Sequence, residues 1–174
     1  AHGLYCKGVG SFREAYHIPL AVRWPNGIDT AGREVSALTN VMDFAPTFLD
    51  LAGIETVPEG VAGQSLVPWL REETPENWRD THYTQFNGVE LYYTQRIVQT
   101  HTHKYVYNGF DFDELYDLEA DPHEMVNLAD QADYEEIKRD LVRRMWETAL
   151  AEDDIITNPY ATVAMAPWGP GIAV

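Results

Sequence analysis

The sequence predicts an α/β chain in two parts. A strand and a helix belonging to a larger sheet come first, followed by a small α+β subdomain of about four antiparallel strands packed by a long C-terminal helix. Three observations predict it. The run Ile18-Pro19-Leu20-Ala21-Val22, closed by Trp24, is nearly continuous in apolar residues, as expected of a strand covered on both faces. Segments near 81–86, 91–100, 103–108 and 113–118 are rich in Tyr, Thr, Val and Ile and are punctuated by Asn87-Gly88 and Asn108-Gly109. Short links between such segments imply antiparallel pairing. Finally, Ile137, Leu141, Met145 and Ala149 recur at helical spacing, with Lys138, Arg139, Arg143 and Arg144 elsewhere on the surface.

Taken in order, the chain opens with a loop in which Lys7 is flanked by Cys6 and Gly8, with Gly3 and Gly10 nearby, so its backbone can bend tightly and approach a ligand. A lysine delivered by a loop at a sheet edge is placed to meet an anion, although most lysines in such loops are simply solvated. After the strand, Pro25-Asn26-Gly27 reads as a turn. Asp43 is the expected N-cap of a helix whose Phe44, Phe48, Leu51 and Ala52 share one face and which Gly53 ends. Residues 55–64 read as a surface connection, and a short helix is expected over 65–71. These features give three regions: 1–71, the end of a larger α/β domain; 72–152, the sheet-plus-helix subdomain; and 153–174, an apolar tail with Pro159, Pro167 and Pro170. Asp133 with Glu136 predicts a capping box at the start of the long helix. The tail has two readings: it wraps back on its own protomer, or it reaches a neighbouring subunit and makes a homo-oligomer contact.

With 12 Lys+Arg against 28 Asp+Glu, the formal charge is −16, which argues against nucleic acid and anionic membrane as partners. One cysteine excludes an internal disulfide framework. No apolar run is long enough to span a membrane, and localisation stays open.

Four stretches, in order, resemble the sulfatase family. Lys7-Gly8 with Phe12, Glu14, Ile18-Pro19-Leu20 and Trp24-Pro25 is similar to the part running from the family's sulfate-contacting lysine into a core strand. Residues 43–54 (DFAPTFLDLAGI) resemble its D-x-x-P-T-x-L-D-L-A-G helix, residues 63–70 its G-x-S-L-x-P-x-L segment, and residues 114–122 its E-L-Y-D-L-x-x-D-P segment. The resemblance implies the last strand and helix of a large sulfatase-type domain, then the family's C-terminal subdomain. It also implies that Lys7 places its ammonium against the nonbridging sulfate oxygens. His2, in the same loop, would donate a proton to the leaving oxygen, line the pocket or merely hydrogen-bond the loop, and Tyr5 would help wall the site.

The family builds its nucleophile, formylglycine, in a C-x-P-x-R motif and holds a divalent cation, with calcium the expected ion. Cys6 lacks that motif's proline and arginine, and the ligand segments are not found in these residues. The chain is therefore expected to be the C-terminal part of a longer sulfate-ester hydrolase, inactive without its N-terminal domain. A phosphonate or phosphate ester hydrolase of the same alkaline phosphatase-like superfamily, and a noncatalytic interaction or oligomerisation module, are the alternatives. His17 and Arg13 depart from the residues usual in the family, leaving substrate preference open. No metal ligands are assigned within the chain. His101 and His103 could chelate but lack a third partner, and Asp111, Asp113, Glu114 and Asp117 read as a solvated acidic face.

Overall fold

Because successive side chains of a strand point to opposite faces, each strand of the C-terminal sheet serves two separate layers. The computed structural model describes residues 2–3, 10–28, 30–54, 56, 58–88, 94–109, 111–158, 165 and 167–173. Its sheet has the order β1 (His82–Phe86), β2 (Gln95–Gln99), β3 (His103–Asn108) and β4 (Glu114–Asp117), with every neighbouring pair antiparallel. The expected strands are thus present.

In register, Tyr83, Val98, Tyr105 and Leu115 form one row across the sheet. This row meets the long helix, whose buried residues include Leu141, Met145, Trp146 and Ala149. The stripe expected from helical spacing faces the sheet, and Leu128 and Ala129 complete the core. The described tail residues Met165, Trp168, Ile172 and Ala173 pack against the same core. The Trp146 indole donates to the Trp168 carbonyl at 2.8 Å, and Lys138 and Arg139 lie 5.0 and 5.1 Å from the Trp168 ring. This part of the tail wraps back on its own chain, while residues 159–164 fall outside the described set.

The chain forms two compact units, one of Ala1–Ile18 with Thr81–Val174 and the other of Pro19–Asp80. The first also carries a short helix, α1 (Arg13–Tyr16). The second carries α2 (Phe44–Leu51), preceded by a 3-10 turn at Val41–Asp43, and α3 (Val67–Leu70). The long helix is α4 (Glu135–Ala151).

Three local expectations are corrected. Ile18 to Trp24 pairs with no strand among the described residues, and Ile18 is 65% exposed. On α2 the buried residues are Pro46 and Thr47, whereas Phe48 is 68% exposed and Leu51 is also exposed. Ile18, Leu20, Val22, Phe48 and Leu51 carry the pattern of buried elements yet stand exposed. The capping box at Asp133 is not formed, because a 3-10 turn at Ala132–Tyr134 intervenes and α4 begins without a side-chain cap.

Asp43 occupies the expected N-cap position of α2 but makes no side-chain capping hydrogen bond to that helix. The 3-10 turn before α2 is capped by Asn40, whose side chain accepts from the Met42 N–H. Asp43 instead sits at 0% exposure, gripped by both Arg79 Nη atoms at 2.6 Å and accepting from the Asn40 and Gln64 N–H groups at 2.9 and 2.8 Å. The two resembling motifs interlock through this and two further contacts: Leu66 N–H donates to Thr47 Oγ1 at 2.8 Å, and Ser65 Oγ donates to Asp50 at 2.6 Å. Gly63 completes the clasp, since with φ +98° a Cβ there would collide with the Met42 carbonyl.

Burial pushes the Asp43 carboxyl up, but hydrogen bonds from Arg79, Asn40 and Gln64 outweigh it, and its pKa falls below the ordinary 3.8. A depressed carboxyl contributes stability that is present above pH 3.8 and is lost as pH falls through the lower folded value. Asp43→Asn is therefore expected to cost this unit about 2 kcal/mol at pH 7 and less at pH 3, read from urea melts at both pH values.

Candidate functional site

The face of the sheet turned away from α4 is where the N-terminal segment attaches. Along β3 and β4, Lys104, Val106, Asn108, Glu114 and Tyr116 alternate onto this face. Lys104 is 1% exposed, too buried to stay charged without a partner, and it finds one in Glu124, which is 2% exposed. Lys104 Nζ lies 2.5 Å from Glu124 Oε1 and donates to the Ser11 carbonyl at 2.8 Å. The other carboxylate oxygen, Glu124 Oε2, accepts from the Arg13 N–H at 2.8 Å. Ser11 Oγ donates to Glu114 Oε2 at 3.0 Å, and the Tyr116 hydroxyl donates to the same oxygen at 2.9 Å. Asn108 Nδ2 donates to Glu114 Oε1 at 3.1 Å. Burial lowers the Lys104 pKa, and the charge and hydrogen bond of Glu124 oppose the fall.

Beyond this anchor, the His2 ring stacks on Phe12 with centroids 3.6 Å apart and planes within 6°. Its Nε2 is 3.8 Å from Glu14 Oε2 and is buried without a hydrogen-bond partner among the described residues. His2 is thus brought to the anchored segment as a packed ring with one unsatisfied nitrogen. Lys7, Tyr5 and Cys6 lie outside the described residues.

The acidic residues near the β3–β4 turn are divided among structural tasks. Asp113 accepts from the Tyr105 hydroxyl at 2.6 Å and the Asn108 N–H at 3.2 Å, Glu114 holds Ser11, and Asp117 accepts from the Glu119 and Ala120 N–H groups. His103 contacts Thr102 Oγ1 at 2.9 Å. Among the described residues, no group of three or more His, Cys, Asp or Glu side chains is arranged to hold a metal ion. A divalent cation therefore does not fit the described residues.

Sequence reasoning missed Ser11, Lys104 and Glu124, the residues that fix the segment next to the candidate loop. A lysine inside an aromatic and β-branched strand was the available signal for Lys104. Glu124 left none.

Residues 1–151 match the family described as N-sulphoglucosamine sulphohydrolase, C-terminal. The chain belongs to this sulfatase C-terminal family. It is 37% identical over 154 residues to an N-acetylglucosamine-6-O-sulfatase of Bacteroides thetaiotaomicron, a match covering 84% of this chain and 27% of that protein. One solved structure, of a protein in complex with its substrate D-glucosamine-2-N,6-O-disulfate, superposes with a TM-score of 0.59 at 36% identity and covers 66% of this chain and 24% of that one. A phosphonate monoester hydrolase of Agrobacterium radiobacter superposes with a TM-score of 0.62 at 28% identity, covering 70% and 27%. The chain spans between about a quarter and a third of the curated sulfatase and hydrolase relatives it matches. The antiparallel sheet with its long C-terminal helix is the architecture these sulfatase relatives share.

Proposed function

We propose that this chain is the C-terminal portion of a sulfatase that hydrolyses sulfate esters, inactive by itself. The observation that carries this reading is the 37% identity to a sulfatase of which the chain spans 27%. In the Pro19–Asp80 unit the exposed apolar residues Leu20, Val22, Phe48 and Leu51 support it as well, since they offer apolar surface for a domain outside these residues and argue against a self-sufficient noncatalytic module.

In the parent enzyme the family implies a formylglycine nucleophile and a divalent cation, for which we propose calcium, both supplied from outside this chain. The chain's own contribution is Lys7. Sulfuryl transfer places charge on the nonbridging and leaving oxygens, and a fixed ammonium stabilises that charge more in a water-poor site than in solution. His2 provides the nearby imidazole, held against Phe12, and Tyr5 walls the pocket. A 6-O-sulfated amino sugar is the first natural-type substrate to try, because the 37% identical relative is named for one.

The second reading is a phosphonate monoester hydrolase, favoured by the 0.62 TM-score to such an enzyme. A lysine beside a tetrahedral anion does not distinguish sulfur from phosphorus. The parent protein assayed side by side on an aryl sulfate and an aryl phosphonate monoester separates the two. Higher kcat/KM on the sulfate supports the sulfatase, and higher kcat/KM on the phosphonate replaces it with the second reading.

A further inference from the structure

We propose that Lys104 and Glu124 are positioning residues for the Lys7 loop, acting on it through the backbone of Ser11 and Arg13. The proposal rests on Lys7 being the sulfate-contacting residue. Glu124 uses its two carboxylate oxygens for different tasks, Oε1 for the Lys104 ammonium and Oε2 for the Arg13 N–H. Lys104 divides its donors between Glu124 and the Ser11 carbonyl. A backbone acceptor and a backbone donor two positions apart are therefore tied to a single buried ion pair, and Ser11 Oγ adds a third tie to Glu114. Lys7 lies four positions before Ser11 in the sequence.

Stability alone does not account for such a pair. Buried ion pairs are commonly no more stabilising than well-packed apolar side chains of the same volume, because desolvation offsets the Coulomb gain. Apolar side chains could not hold the Ser11 carbonyl and the Arg13 N–H at set positions, and the ion pair does both. Glu124 also adopts φ +56°, a conformation costly for a residue with a side chain, in order to present its carboxylate there. Displacing a charged group by a fraction of an ångström reduces transition-state stabilisation more than it reduces substrate binding, so the expected signature is in kcat.

The test is a double-mutant cycle in the parent enzyme with an aryl sulfate, comparing wild type, Lys7→Ala, Glu124→Gln and the pair. Glu124→Gln is expected to lower kcat about tenfold with KM changed less than about threefold, and to cause no further loss in the Lys7→Ala background. Should Glu124→Gln not fold, judged by its melting temperature, the charge-free pair Lys104→Met, Glu124→Leu takes its place, with about a tenfold loss of kcat that also vanishes when Lys7 is absent. A loss that adds fully to that of Lys7→Ala, or an unchanged kcat, overturns the proposal while leaving the role of Lys7 intact. An unchanged kcat in Lys7→Ala itself overturns the reading of Lys7, and the proposal with it.

Discussion

Lys7→Ala in the parent sulfatase is expected to lower kcat about 10²–10³-fold with a small change in KM, as loss of one fixed charge-stabilising group does at a water-poor site. The chain as a whole carries −16, so an anionic ester meets an unfavourable overall field and needs a local cation to be held and to react. In the sequence Lys7 is followed by Gly8, with Gly3 and Gly10 nearby, a composition that permits tight backbone bends. Arginine at the same position is expected to restore only part of the rate, because a planar guanidinium does not reproduce the point charge of an ammonium. Steady-state kinetics on an aryl sulfate provide the check, and an unchanged kcat for Lys7→Ala removes the residue from the mechanism.

Asp154→Ala should destabilise the sheet unit by about 3–5 kcal/mol, the usual cost of stranding one member of a buried ion pair. Arg96, at 0% exposure on β2, meets Asp154 through Nε at 2.6 Å and Nη2 at 2.7 Å. Its Nη1 donates to Asn87 Oδ1 and to the Gln95 carbonyl, so the guanidinium is fully engaged. The Tyr83 hydroxyl and the Ile156 N–H also donate to Asp154, which ties the exit from α4 to strands β1 and β2.

Burial raises the Asp154 carboxyl, and the hydrogen bonds from Arg96, Tyr83 and Ile156 more than reverse this, leaving its pKa below the ordinary 3.8. Its contribution is therefore complete above pH 3.8 and fades as the solution is acidified through the folded value. Hydrogen exchange of the β2 amides reads the loss directly. An Arg96→Met, Asp154→Leu double variant should recover much of it, since neither charge is then left buried alone. Protection unchanged in Asp154→Ala would mean that the pair contributes nothing to the unit.

The strands and α4 were legible because their signals are local. Runs rich in Tyr, Thr, Val and Ile between turn signals, and the stripe from Ile137 to Ala149, depend on neighbours in sequence alone. The polar anchors were not legible, because their partners are distant. Arg96 meets a carboxylate 58 positions away, and Asp43, read as a helix cap, meets a guanidinium 36 positions away. Apolar patterning along Ile18 to Trp24 and on α2 reports that a surface is meant to be covered without saying what covers it. Of the candidate site, His2 could be followed into the structure, where it packs on Phe12, while Lys7 and Tyr5 rest on resemblance.

In the proposed function this chain supplies Lys7 to a sulfatase but not the nucleophile. The most direct measurement is the initial rate of aryl sulfate hydrolysis by the purified 174-residue chain, its intact mass verified, beside the parent enzyme at equal molar concentration. Turnover by the parent and none by the chain is the predicted result. Turnover by the 174-residue chain alone would contradict a nucleophile supplied from outside it.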